Sequence, residues 1–171
     1  MSKRDLKIAV RFSPDCAWAD DFFPPDMPES WRPVYLGNEL RCALTSAAYL
    51  ADVDAEELAA WREAIEAGLT LLFDDDPDLL PAALHEAGAQ RMTWDEHSWE
   101  ETFAQIGETI DDATVVVLID AEAAPDPKQT REWIETALEY EGSAHIVIVF
   151  DGPAAMQAAK QAQTVSGFMD W

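Results

Sequence analysis

The sequence predicts an α/β fold in which about six buried parallel strands alternate with helices, and three observations point to it. Short apolar runs recur along the chain, KIAVRF at 7–12, LTLLF at 69–73, TVVVLID at 114–120 and HIVIVF at 145–150. Strands that are apolar on both faces belong to parallel sheets, covered by crossover helices or closed into a barrel. Between these runs lie segments with helical periodicity and capping signals. The length of 171 residues, with 49% hydrophobic content, suits one domain spanning 1–171 with a full core.

The strand at 7–12 comes first. It is followed by DDFFPPDMPESWRP at 20–33, where four prolines bar a regular helix or strand and the aromatic rings call for burial. The reading is an ordered loop with Phe22, Phe23 and Trp31 at least partly buried. A second strand lies within ELRCALTSAAYL, at 39–50. Asp54 and Glu57 then have capping-box spacing, Val53 and Leu58 the spacing of a hydrophobic staple, and Leu58, Trp61 and Ile65 share the inner face of the helix they start. Gly68 ends it. Pro77 and Pro81 bracket the start of a short helix through Ala82 to Ala87, which Gly88 stops before a strand-like QRMTW. Ser98 and Glu101 form another capping pair, which predicts a helix with Phe103, Ile106 and Ile110 inward. After the strand at 114–120, Asp126 as N-cap and Pro127 at the first helical position open a helix that buries Trp133, Ile134, Ala137 and Leu138 and stops at Gly142. Pro153 opens a final alanine-rich helix after the strand at 145–150.

Charge excludes several function classes. Acidic residues outnumber basic ones 34 to 11, for a net charge of −23. Self-repulsion of that size repels nucleic acid and anionic lipid, so neither is expected as a partner, whereas a basic protein partner, a salt-rich cytoplasm or mimicry of a nucleic-acid backbone would account for it. The acids are spread over every helix, which favours a solvated acidic surface over a mimic. No apolar run reaches the ~18 residues of a membrane span, and the basic start has no signal-peptide core. A cytoplasmic protein is expected. Cys16 and Cys42 read as reduced thiols packed as small hydrophobes, and His85, His97 and His145 are scattered without the i, i+4 spacing of a helical zinc site. No cofactor or resident metal is implied.

Trp18, Phe22-Phe23-Pro24, Met27-Pro28 and Trp31 follow the first strand, Trp61-Arg62-Glu63 and Gly68 precede the third, Ser98-Trp99 comes next, and the later strands end at Asp120 and Asp151. In order and spacing this resembles the YecE-like family (domain of unknown function 72), TIM-barrel proteins described as distantly related to sugar isomerases. The resemblance implies a TIM-barrel-like fold, and it puts Trp18, Phe22, Phe23 and Trp31 in a ligand or partner loop on the barrel face that carries sites. A full barrel usually takes ~250 residues. The reading is therefore a reduced barrel, either closed with fewer strands or open, with an exposed sheet edge through which the domain could form a homodimer.

Departures from the family pattern decide the functional expectation. The family's Glu and Asn of the second strand fall at residues 43–46 (ALTS), its strand-end lysine at Asp74, its Arg-His at Asp95-Glu96 and its Asn-Asn at Asp151-Gly152, while Arg11 to Pro14 replace a Gly-rich loop. Basic and amide groups have become acids or small residues. The favoured reading is a diverged, non-catalytic domain that binds a partner or small ligand. The alternative is a metal-dependent hydrolase or isomerase using Asp74, Asp120 and Asp151, which all follow buried strands at one end of the sheet. DDD at 74–76 could bind Mg²⁺ or Ca²⁺ at the C-terminal end of a strand, but such a run is more often a solvated acidic helix start. Without a cation beside them, the three strand-end aspartates are expected to repel one another, so that neutralising them singly leaves stability equal or slightly raised.

Overall fold

The computed structural model describes residues 5–95, 103–110, 114–139 and 145–169. β1 (Asp5–Arg11) leads through a short α1 (Ala19–Phe22) and a 3-10 turn (Glu29–Trp31) into α2 (Arg32–Glu39) and β2 (Cys42–Thr45). Next come α3 (Ala47–Asp52), α4 (Ala55–Glu66), β3 (Thr70–Phe73), a second 3-10 turn (Pro77–Leu79), α5 (Ala82–Ala87) and β4 (Gln90–Trp94). The remaining elements are β5 (Gln105–Thr109), β6 (Val115–Asp120), α6 (Pro127–Leu138), β7 (His145–Asp151) and α7 (Ala155–Phe168).

The strands close into a barrel in chain order, β1 to β7, and β1 pairs with β7 in parallel from Asp5 opposite His145 to Val10 opposite Phe150. This corrects the expected reduced TIM-like barrel of about six parallel strands. Among the described residues there are seven strands, and β5 runs antiparallel to both neighbours, with Trp94 opposite Gly107 on one side and Gly107 opposite Val116 on the other. The expected helix through Phe103, Ile106 and Ile110 is this strand. Three apolar residues within eight satisfy helical spacing and strand alternation alike, and here Ile106 turns outward between inward Gln105 and Gly107 while Ile110 is 51% exposed. Ser98, Glu101, Gly142 and His97 lie outside the described residues. Closure also leaves the seven described strands without a free edge, which removes the premise of a homodimer formed by edge pairing.

Strand alternation divides the core in two. Ala9, Leu44, Leu72, Met92, Val116 and Val149 belong to a cluster inside the barrel, against which Trp94 packs. Their neighbours Ile8, Val10, Leu71, Val117 and Ile148 belong to the larger cluster between the sheet and the helices. Trp61, fully buried, is in that outer cluster on α4, with Ala60 and Ala64 buried beside it and Leu58 and Ile65 half-buried. The caps form as expected: Asp54 accepts from the Glu57 N–H at 2.8 Å, and Asp126 from the Gln129 N–H at 2.7 Å with Pro127 in the first turn. Among the described residues no helix is long and apolar enough to cross a membrane.

The inward phase is apolar in the middle and polar at both ends. At the N-terminal end Lys7 donates to the Thr70 hydroxyl at 3.1 Å. At the C-terminal end the inward positions include Arg11, Asp74, Trp94, Gln105, Asp120 and Asp151.

Candidate functional site

Arg11, the last residue of β1, occupies the C-terminal mouth of the barrel. Its guanidinium is ion-paired with Asp74, at the end of β3, and with Asp151 of β7 at 3.5 Å. The Trp94 indole N–H donates to the same Asp74 oxygen at 2.9 Å. Asp74, with a side chain only 15% exposed, is thus held from two sides. Trp94 reaches it because its neighbour across the ladder has no side chain: a Cβ on Gly107 would stand 2.3 Å from the Thr93 carbonyl oxygen and 3.0 Å from the Trp94 ring. One small residue therefore sets where the indole lies.

Asp120 pairs in register with Asp151, and Gly152 (φ +93°) turns the chain so closely that a Cβ there would approach Asp120 Oδ1 to 2.8 Å. Asp151 Oδ1 also accepts from the Gly152 N–H at 2.8 Å. The three strand-end aspartates do share one end of the barrel. However, the expectation that they lack a cation is wrong, because Arg11 stands between two of them. Among the described residues no group of three or more His, Cys, Asp or Glu side chains is arranged to hold a metal ion. His85 is exposed on α5, and His145 is at the opposite end of the barrel, 3.3 Å from Asp5.

The acidic run at 74–76 divides into three separate roles. Asp74 binds Arg11 and Trp94, while Asp76 accepts from the Asp78 N–H at 2.9 Å and caps the second 3-10 turn. Asp75 crosses to the start of α3, where the N–H groups of Ala47 and Ala48 donate at 2.6 and 3.0 Å and the Ser46 hydroxyl at 2.9 Å. Burial raises the Asp75 carboxyl, but these hydrogen bonds together outweigh it and hold it below its ordinary value. A group depressed in this way contributes stability that is complete above the unfolded-state value of ~3.9 and is lost as pH falls through the lower folded value. Urea melts across an acid pH series should therefore show the wild type starting above Asp75→Asn at neutral pH and converging with it in strong acid. Parallel profiles would refute this.

Above Arg11 and Asp74 opens a cavity of about 480 Å³, walled by Ser13, Cys16, Thr45, Ser46, Asp151 and Gly152. Burial raises the Cys16 thiol, and it pushes the fully enclosed Cys42 thiol up to about 12, which leaves the latter inert. Phe12 closes the side of the cavity and is the hub of the aromatic loop, with ring centroids 6.1 Å from Trp18, 6.2 Å from Phe23, 5.9 Å from Tyr49 and 5.5 Å from Trp61. Trp18 and Phe23 are buried and Phe22 half-buried, so these loop rings are core. Trp31 departs from its expected burial. It is 62% exposed, because the 3-10 turn that carries it sets the ring outside, beside Tyr35 and Met27.

Arg11 and Trp94 are the site residues that sequence reasoning passed over. The available signal was phase, since Arg11, Asp74 and Asp151 all stand where a buried strand gives way to its loop. Compared with protein-family models, curated proteins and solved structures, the chain matches none.

Proposed function

We propose that this chain is a non-catalytic binding domain that takes a small, uncharged, polyhydroxylated ligand in the cavity at the C-terminal mouth of the barrel. The observation that carries this reading is the Arg11–Asp74–Asp151 network with Trp94 fixed on Asp74. A guanidinium has five N–H donors and carboxylates only accept, so interleaving them offers each ligand hydroxyl a donor and an acceptor at once. One cation beside two carboxylates leaves the floor net negative, which disfavours anions. The same pairing argues against the metal-dependent alternative: Asp74 Oδ2 already accepts from Arg11 and an indole, and a cation bound at that oxygen would have to displace the guanidinium. Under this reading the likeness to the YecE-like family, carried by motif order alone, is that of a distant relative without the family's basic and amide groups.

Thermal melts and calorimetry with myo-inositol, glucose, phosphate and Mg²⁺ test the assignment. A neutral polyol is expected to raise the melting temperature saturably and phosphate to leave it unchanged, with Arg11→Gln weakening polyol binding at least ~10-fold, the loss of one charge-assisted hydrogen bond. Polyols that do not bind, or bind Arg11→Gln equally well, would overturn the reading. A rise with Mg²⁺ that Asp74→Asn abolishes would restore the metal alternative.

A further inference from the structure

A second cavity, of about 310 Å³, lies on the other side of Phe12, between the start of α2 and the junction of α3 with α4. Arg32 and Tyr49 line it with four carboxylates, Glu29, Asp52, Asp54 and Glu57. Its size is at the small end of the roughly 300–1,000 Å³ range of ligand pockets, which suits a molecule of amino-acid dimensions.

Arg32 is the anomaly. Its guanidinium carbon lies 4.8 Å over the Phe23 ring, which orients the planar fork, and its Nε is buried without a hydrogen-bond partner. In a chain with 34 acidic residues to 11 basic ones, no described carboxylate comes within ion-pair distance of it. The guanidinium lines the cavity without an ion-pair partner, and its fork geometry matches a carboxylate. The wall opposite is already organised, since the Tyr49 hydroxyl donates to Glu57 Oε1 at 2.9 Å and the Asp54 carboxylate is held at the start of α4. Burial raises both Tyr49 and Glu57 above their ordinary values, which marks that corner as poorly solvated. Four carboxylates around one cation repel a simple anion. A ligand that satisfies Arg32 must therefore bring positive charge with its carboxylate.

We propose that this cavity binds a free basic α-amino acid, with its carboxylate on the Arg32 fork and its ammonium groups toward Glu29, Asp52, Asp54 and Glu57. The site is independent of the polyol cavity and uses none of its charged groups.

Calorimetry at low salt with L-lysine and with cadaverine, which keeps both ammonium groups and lacks the carboxylate, isolates the Arg32 contribution. L-lysine is expected to bind saturably and at least tenfold more tightly than cadaverine. Arg32→Gln should erase that preference, and Arg32→Lys, which keeps the charge and most of the stem but loses the fork, should reduce it at least tenfold while retaining the wild-type circular dichroism. Arg11→Gln should keep the preference intact, so failure at one cavity is distinguishable from failure at the other. No saturable heat with L-lysine, equal binding of the two probes, or a preference that Arg32→Lys leaves undiminished would overturn the proposal.

Discussion

Trp61→Ala should lower stability by about 3–5 kcal/mol, the range for removing a large aromatic from a packed core. Trp61 is fully buried on α4, and its ring meets Phe12 at a 5.5 Å centroid distance in an edge-to-face arrangement. Through Phe12 it supports Trp18, Phe23 and Tyr49, so the cavity left behind would reach the wall between the two mouth-side cavities. The indole Nε1 is buried with the Tyr49 hydroxyl as its polar neighbour, which makes Trp61→Phe the informative companion: it keeps most of the ring contact and removes only the indole N–H. Denaturant unfolding should place Trp61→Phe well above Trp61→Ala in midpoint. An unchanged midpoint for the alanine variant would remove Trp61 from the core.

Gly107→Ala should be the most damaging methyl that can be added to the chain at a described glycine without positive φ. The new Cβ would stand 2.3 Å from the Thr93 carbonyl oxygen and 3.0 Å from both Met92 Cε and the Trp94 ring. Backbone cannot swing aside as a flexible side chain can. The cost is therefore expected at or above the upper end of the ~1–3 kcal/mol typical of overpacking. The displaced indole would also leave Asp74, so the polyol binding proposed at the mouth should weaken together with stability. Gly167→Ala is the control, because a Cβ there meets nothing within 4 Å in α7 and alanine favours a helix. Equal unfolding midpoints for the two variants would show that β5 does not lie where the barrel places it.

What was legible in the sequence was local. Asp54 and Asp126 cap their helices because an N-cap needs only its own next three residues. β1, β3, β6 and β7 were readable as continuous apolar runs, and Trp61 as the inward residue of a capped helix. β5 was not, because QIGET alternates only once its partners on both sides are known, and a glycine in it gives no pattern. Arg11 was illegible as a site residue for a similar reason. Its partners Asp74 and Asp151 are 63 and 140 residues away in sequence, and no local spacing records such a pairing. Trp31 shows the converse error, since an aromatic among prolines suggests burial, but nothing local says which side of a turn faces water.

The seam between β1 and β7 bears on how the chain acquires its fold. Asp5 lies opposite His145, 140 residues later, so the ring cannot close until nearly the whole barrel is in place. Contacts of such sequence separation pay their loop-closure entropy before they return any pairing energy, and they slow folding accordingly. On a ribosome β1 emerges first and waits, its open edge a template for any other strand, until β7 arrives to occupy it. A net charge of −23 would make neighbouring nascent chains repel one another during that wait. The acidity of this protein would then protect its assembly as well as its finished surface.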